Sequence, residues 1–168
     1  MNRDNSNKLI ISSPLEAHKS HTLTLDMVAL DNGLENPQFA CLEIDYGDQD
    51  TYDAAVVTGN HQKVVVIYEV DLGLNHVIRK NSENVPKSTH ALVPVPGSSG
   101  DEIEGPGGLI VVCENFVIYK KLGHDDRRCL IPVRYDQSLE SGLFITNSQA
   151  FFNSDLGVII FIQSEHGD

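Results

Sequence analysis

The 168-residue chain has no tryptophan, only three cysteines, and 12 lysine and arginine residues against 24 aspartate and glutamate residues, a formal net charge of −12. The excess of carboxylates disfavours free nucleic acid as a direct partner, because each phosphate contact needs a lysine or an arginine. The longest apolar stretches, 108–113 and 157–162, fall far short of the roughly 18–20 residues of a membrane helix. We therefore expect neither sequence-specific nucleic-acid binding nor a membrane partner.

The cysteines Cys41, Cys113 and Cys129 cannot all pair, and none belongs to a Cys-x-x-Cys motif. A sparse, odd set inside apolar segments is typical of reduced cysteines in the cytosol or nucleus. Residues 1–8 are polar and lack the apolar region of a signal peptide. Since 40% of the residues are hydrophobic, the chain is able to build a core. We expect a soluble intracellular protein of about one domain.

Short β segments separated by glycine, proline, asparagine and aspartate follow one another along the chain. The predicted strands are 8–12, 22–30, 38–46, 63–70, 76–80, 89–95, 108–113, 116–121, 128–134, 143–147 and 156–163. In 22–30 two sets of side chains alternate, which predicts a strand with one wet face. One set is Leu23, Leu25, Met27 and Ala29, and the other is Thr22, Thr24 and Asp26.

Three segments are continuously apolar, namely 64–67, 109–112 and 158–161, so each needs cover on both faces. Helices over a parallel sheet would give that cover, but no helix of ten or more residues is indicated. Ser13, Pro14 and Glu16 predict a helical turn or two, and 136–141 predicts another single turn. Stacked antiparallel sheets are therefore favoured over an α/β fold. The residues alone predict an all-β sandwich or a piece of a propeller.

Metal sites are not indicated. His18 and His21 have the spacing of two zinc ligands on a helical turn, but no second pair follows. The acidic run lacks the calcium-loop spacing and is better explained as a solvated hairpin loop. This run comprises Glu43, Asp45, Asp48, Asp50 and Asp53. We expect neither a metal ion nor a cofactor.

Catalytic motifs are equally weak. The segment 97–100 (GSSG) has the wrong spacing for a nucleophile elbow, and 105–108 (GPGG) precedes a strand and so does not resemble a phosphate loop. His124 stands beside two aspartates in a turn, where neighbouring side chains usually point apart. Cys113, beside Glu114, has the position of a core residue at the end of an apolar strand. We expect no enzyme and no small-molecule substrate.

Arg127, Arg128 and Arg134 form a basic island in this acidic chain, around an apolar stretch. One hypothesis is that they contact an acidic partner. The alternative is that they are ordinary edge-strand charges that prevent sheets from pairing edge to edge. These three residues are our candidates for partner binding.

Several long strings resemble the splicing factor 3B subunit 3 family, which contains the large β-propeller scaffold of the splicing factor 3b complex. The strings are 11–19 (ISSPLEAHK), 35–46 (ENPQFACLEIDY), 68–80 (YEVDLGLNHVIRK), 113–120 (CENFVIYK) and 128–132 (RCLIP). They match in order. The family is related to the damaged-DNA-binding adaptor of cullin ligases and to the large cleavage and polyadenylation subunit.

The resemblance implies an all-β partial propeller, with two to three four-stranded antiparallel blades of an incomplete ring. It implies a polar segment at 1–8 and an interior slice of the family's first propeller at 9–168. It also implies a non-enzymatic nuclear scaffold in pre-mRNA splicing, with other splicing factor 3b subunits and spliceosomal proteins as partners. Alternatives are a sibling scaffold in ubiquitin ligation or mRNA 3′-end cleavage, a non-functional truncated paralogue, a ligand-binding β module and a propeller hydrolase.

If 64–67 is an inner strand, Val66→Asp places an uncompensated charge in the core. We expect this substitution to lower the free energy of unfolding by roughly 3 kcal/mol or more, or to leave the chain aggregated. Urea unfolding followed by circular dichroism, with the mass in solution measured in parallel, tests this. A soluble variant that unfolds like the wild type would exclude the placement.

Overall fold

The computed structural model describes residues 2–3, 9–10, 13–17, 19–31, 33–47, 61–97, 105–132 and 142–168. These residues form twelve strands and no helix, so no described helix is available to cross a membrane. The strands are β1 (Asn2–Arg3), β2 (Leu9–Ile10), β3 (Thr22–Leu30), β4 (Gln38–Asp45), β5 (Lys63–Asp71), β6 (His76–Asn84), β7 (Ala91–Pro94), β8 (Leu109–Val112), β9 (Phe116–Lys120), β10 (Arg127–Leu130), β11 (Ile145–Asn153) and β12 (Gly157–Ser164).

The strands pair in sequence order into antiparallel sheets. The first sheet has the order β3-β4-β5-β6, and the second sheet has the order β7-β8-β9-β10. The third sheet contains β11 and β12, while β1 and β2 pair separately. The edge strand β3 contacts the edge strand β7, which in turn contacts β11. The edges formed by β3, β7 and β11, called the inner edges below, therefore lie side by side.

Face-to-face stacking of the sheets creates the core. The first and second sheets share one cluster of buried side chains, and the second and third sheets share another. Strand β8 contributes to both: Leu109 and Val111 face the first sheet, whereas Ile110 and Val112 belong to the cluster shared with the third. All four side chains are buried. A strand covered on both faces must be continuously apolar, which explains the sequence of β8.

The predicted all-β fold with four-stranded antiparallel sheets is confirmed, and among the described residues the sheets do not close into a ring. Most predicted strand bounds agree with the observed ones to within a few residues. The helical turn predicted at Ser13 is wrong, since 13–17 contains no helix. A single turn fixes several dihedrals for little hydrogen bonding, and strand β3 begins soon afterwards. The turn predicted at 136–141 lies outside the described residues.

The division predicted at residue 8 stays a prediction, although Asn2 and Arg3 pair with Ile10 and Leu9.

The wet face of β3 is the opposite of the one that its polarity suggested. Leu25 and Met27 are exposed, Met27 by 63%, whereas Val28 and Leu30 pack against the core shared with the second sheet. A bulge between Thr24 and Asp26 changes the register along the strand. The inward face carries Asp26, whose carboxylate accepts a hydrogen bond from a backbone N–H of the second sheet.

Hydrogen bonds join the inner edges of successive sheets. Asp26 Oδ2 accepts a hydrogen bond from the Leu92 N–H (2.7 Å), which links the first sheet to the second. His90 Nε2 donates to the Ile145 carbonyl (2.9 Å), which links the second sheet to the third. Each bond satisfies a backbone group at an inner edge, so the sheets are fixed relative to one another by directional contacts.

The tight junction between Asp31 and Gly97 explains one glycine. The Gly97 N–H donates to Asp31 Oδ2 (3.1 Å), and a Cβ at position 97 would lie 2.0 Å from the Asp31 carbonyl oxygen. No side chain fits at this distance, so glycine is required where the loop after β7 meets the end of β3.

Residues 158–161, which belong to β12, are only partly covered: Val158 and Ile159 are half-buried, and the next two residues are exposed. Ile160 is 44% exposed and Phe161 is 47% exposed. Among the described residues, the second sheet packs against the face that carries Val158 and Ile162, and Phe161 points to the opposite face. By contrast Val66, in the middle of the first sheet, is fully buried, as predicted. Met27→Asp is a matched control for Val66→Asp, because the same charge at the exposed position stays in water.

Lys120 joins the first and second sheets away from the inner edges. Its Nζ donates to Glu83 on β6 (2.8 Å) and to Asp126 just before β10 (2.5 Å). Burial on its own lowers the pKa of Lys120, but the hydrogen bonds to Asp126 and Glu83 and the negative charges of these two carboxylates together raise that pKa. Hydrogen bonds from Lys120 and Asn81 in turn lower the pKa of the Glu83 carboxyl.

Glu83→Gln should therefore reduce stability in a pH-dependent way. A carboxyl with a lowered pKa adds stability above its ordinary pKa, and that stability is lost as pH falls through the folded-state pKa. We expect a loss of about 0.5–1 kcal/mol near neutral pH, since Glu83 is half exposed. The difference from the wild type should narrow below about pH 4.

Urea unfolding near neutral pH and near pH 3.5 measures this difference. Glu35→Gln is the matched control, because that exposed carboxylate makes no hydrogen bond described by the structure. A difference that stays constant or widens on acidification would contradict the role assigned to Glu83.

Candidate partner-binding surface

Two of the three candidate arginines lie on one exposed edge strand. Arg127 and Arg128 are the first two residues of β10, which is the outer edge of the second sheet. All four residues of β10 are exposed. Arg127 lies opposite Tyr119 and Arg128 lies opposite Ile118, so the two guanidinium groups leave opposite faces of the sheet. Arg134 lies outside the described residues, and its place at this edge stays a prediction.

The register of β10 determines which backbone groups face away from the sheet. The Ile131 N–H donates to the Asn115 carbonyl (2.9 Å), so residue 131 bonds toward β9. Because bonding alternates along an antiparallel pair, Cys129 and Arg127 also bond toward β9. The N–H and C=O groups of Arg128 and Leu130 therefore point outward. No described strand pairs with this edge.

Side chains along the same edge add one apolar and one cationic contact. Arg128 Cζ lies 3.6 Å from the centroid of the Phe116 ring, a cation–π contact that restrains the guanidinium. Leu130 shares that face of the sheet and is 69% exposed. The Leu130 carbonyl accepts only a long contact from the Cys129 thiol, at 3.6 Å, among the described residues. Hydrogen-bonding, charged and apolar groups thus lie together on β10.

The motifs considered for catalysis do not converge in the described residues. His124 is exposed, and its Nδ1 lies 3.2 Å from the Leu122 carbonyl, while Asp126 pairs with Lys120. Cys113 is fully buried, burial raises the pKa of its thiol, and its Sγ lies 3.2 Å from Thr89 Oγ1. None of these contacts forms a nucleophile–base pair. The stretch 98–100 lies outside the described residues.

Metal-ligating side chains do not group together in the described part of the chain. His21 contacts the ring of Tyr46 edge-on, with centroids 5.9 Å apart. Asp45 pairs with Lys19 (2.6 Å), and hydrogen bonds from Lys19 and the Gly47 N–H lower the pKa of Asp45. His18, Asp48, Asp50 and Asp53 lie outside the described residues.

A cleft of about 560 Å³ lies between the first and second sheets, near Lys120. Its charged lining is balanced, with three lysines and three carboxylates, and the rest is mainly apolar side chains and glycine backbone. The charged residues are Lys80, Lys120, Lys121, Asp31, Glu83 and Asp126. Since equal numbers of cationic and anionic side chains line it, the net charge of the cleft favours neither sign of ligand.

The sequence does not predict the buried polar pair formed by Tyr68 and Glu43. The Tyr68 hydroxyl donates to Glu43 Oε1 (2.7 Å) across β4 and β5, and Glu43 is only 2% exposed. Burial, reinforced by Glu43, raises the pKa of Tyr68 to about 12, so the phenol remains a donor. Glu43 Oε2 has no donor among the described residues. Glu43 is part of the acidic run for which the sequence predicts a solvated hairpin loop. That prediction is wrong for this residue, because β4 places its side chain in the buried interior.

Stacked antiparallel sheets of four strands, with their inner edges side by side, are the blades of a β-propeller. The family model of the RSE1/DDB1/CPSF1 first beta-propeller matches residues 1–168. The chain therefore belongs to this family, which confirms the resemblance found in the sequence.

The relatives carry splicing names. The chain is 44% identical over 168 residues to Spliceosome-associated protein 130 A of Arabidopsis thaliana and 44% identical over 178 residues to Splicing factor 3B subunit 3 of Drosophila melanogaster. It is 39% identical over 181 residues to Pre-mRNA-splicing factor RSE1 of Mycosarcoma maydis. Each match covers the whole chain but only 13–14% of the relative's length.

The three cysteines should differ sharply in accessibility. Cys129 on β10 is exposed, whereas Cys41 and Cys113 are buried, and burial, helped by Glu43, raises the pKa of Cys41 to about 11. We expect iodoacetamide to modify one thiol per native chain quickly and all three in urea. Mass spectrometry of the modified chain measures this.

Cys129→Ser should abolish the fast modification, while Cys113→Ser should leave it intact. Rapid modification of Cys41 or Cys113 in the native chain would show that the sheets do not stack as described.

Proposed function

We propose that the chain acts as a non-enzymatic, protein-binding scaffold in pre-mRNA splicing, in the nucleus. The observation that carries this proposal is identity of 38–44% over the whole chain to relatives named as splicing factors and spliceosome-associated proteins. The partners we propose are the other splicing factor 3b subunits and further spliceosomal proteins. The relatives are far longer than this chain. The chain therefore corresponds to one part of the binding surface of such a scaffold.

The physical chemistry of the fold supports binding over catalysis. Because the sheets stack face to face, their faces carry apolar side chains, as in β8. Charged, nucleophilic and acid–base side chains are left at the edges and turns. Among the described residues, those groups are separated from one another or already paired, as Lys120 is with Glu83 and Asp126. Exposed edges on a rigid stack are suited to recognition, because little conformational entropy is lost when a partner docks.

Affinity capture from nuclear extract tests the proposal. We expect the tagged 168-residue chain to retain splicing factor 3b subunits above the level retained by Val66→Asp, which presents the same composition without the native core. Quantitative mass spectrometry measures the enrichment.

Enrichment of cullin-ligase or polyadenylation subunits instead would assign the chain to a sibling scaffold. Hydrolysis of an ester or phosphoester panel that Val66→Asp abolishes would replace the scaffold with an enzyme. No specific enrichment from a cooperatively folded chain would indicate a paralogue without the scaffold function.

A further inference from the structure

We propose that β10 binds an extended acidic segment of a partner protein, which adds as a fifth antiparallel strand to the second sheet with a carboxylate opposite Arg128 and an apolar side chain opposite Leu130. This inference rests on the proposed scaffold function and names the chemistry of one partner contact. The unpaired backbone groups of Arg128 and Leu130 on β10 are the observation that carries it.

The outward groups of Arg128 and Leu130 are spaced as an incoming strand needs them. Residues two apart in a strand present their N–H and C=O groups to the same edge, so these two residues offer two donors and two acceptors. An added strand would run about 4.8 Å away and would bond to all four groups. All the strand pairs in the structure are antiparallel, so the added strand continues the same pattern.

Charge selects an acidic segment. Neither Arg127 nor Arg128 forms an ion pair with a described residue, and both are exposed on a chain of net charge −12. Arg128 is held over Phe116, so its guanidinium is partly positioned before binding. A carboxylate directly across the strand pair would lie within about 5 Å at Cβ, close enough for an ion pair. Elsewhere the acidic surface repels such a segment.

Neighbouring residues fix the position of the segment along β10. Leu130 exposes an apolar side chain on the face that Arg128 also uses, so the partner needs an apolar residue two positions from its acidic residue. Asp125 and Asp126 lie just before β10 and disfavour a carboxylate there. An antiparallel segment therefore reads apolar, then acidic, then neutral or basic, at every second residue.

A short peptide provides the test. The probe is the synthetic peptide Thr-Leu-Thr-Glu-Glu-Lys-Thr, and the matched control is Thr-Leu-Thr-Lys-Lys-Glu-Thr, with the charges exchanged. The isotope-labelled 168-residue chain is followed by amide hydrogen exchange in NMR. We expect the probe to slow exchange of the Arg128 and Leu130 amides several-fold and to leave the Cys129 amide unchanged, because that amide already bonds to β9. The control peptide should have no effect.

Two substitutions separate backbone pairing from side-chain contact. Leu130→Pro removes an N–H that points away from β9, so the ladder with β9 remains while the probe should bind at least tenfold more weakly. Leu130→Ala keeps that N–H and should weaken binding only a few-fold. Arg128→Glu should abolish binding, whereas Arg79→Glu, the same change on the edge strand β6, should not. Every variant must first show the wild-type urea midpoint.

Several outcomes would overturn the inference. These are protection at other strands, no protection at all, equal binding to Leu130→Pro and Leu130→Ala, or equal protection by an oligouridylate, which would make nucleic acid the ligand. If capture from nuclear extract succeeds equally for the wild type and Leu130→Pro, β10 is not part of the interface, while the proposed scaffold function still holds. Capture that fails for the wild type while the probe still protects Arg128 and Leu130 would instead reject the scaffold alone.

Discussion

The stacking of one sheet on the next determines where every other feature of the molecule is able to lie. Strand β8 shows the constraint most clearly, because Leu109 and Ile110 are neighbours in sequence yet belong to the cores on opposite faces of the second sheet. Burial on both faces leaves no position in such a strand for a charged or nucleophilic side chain without a large desolvation cost. Polar chemistry is therefore confined to the strand edges and the turns.

The backbone N–H and C=O groups at the inner edges and at the outer edge of the second sheet differ in whether they are hydrogen-bonded. At the inner edges, Asp26 accepts from Leu92 and His90 donates to Ile145, so each sheet satisfies groups of the next. At the outer edge, the backbone groups of Arg128 and Leu130 on β10 stay unpaired within the described chain, although Lys120 links this side of the second sheet to Glu83. The stack is thus closed by hydrogen bonds on one side and available for further pairing on the other.

Local patterns predicted most of the fold, and long-range contacts account for what they missed. The bounds of β3 were predicted to the residue, but its wet face was not, because Asp26 bonds to a strand 66 residues away. The apolar run in β12 predicted cover on both faces, but among the described residues the second sheet packs on one face and no further sheet packs on the other. Composition identified Arg127 and Arg128, whereas the outward direction of the Arg128 amide follows only from the register with β9.

Arg127 and Arg128 are interpreted either as a contact for an acidic partner or as charges that prevent sheets from pairing edge to edge. Both interpretations describe one property of β10, its positively charged and unpaired edge. An unpaired edge strand invites the same strand of a second molecule, and two copies of β10 paired antiparallel in the register centred on Arg128 would oppose arginine to arginine. That repulsion protects the edge against self-association, because like charges facing each other across a strand pair are destabilising. The same charges favour a strand that carries carboxylates. Protection against this pairing of identical edges and selection of an acidic partner therefore both depend on Arg128.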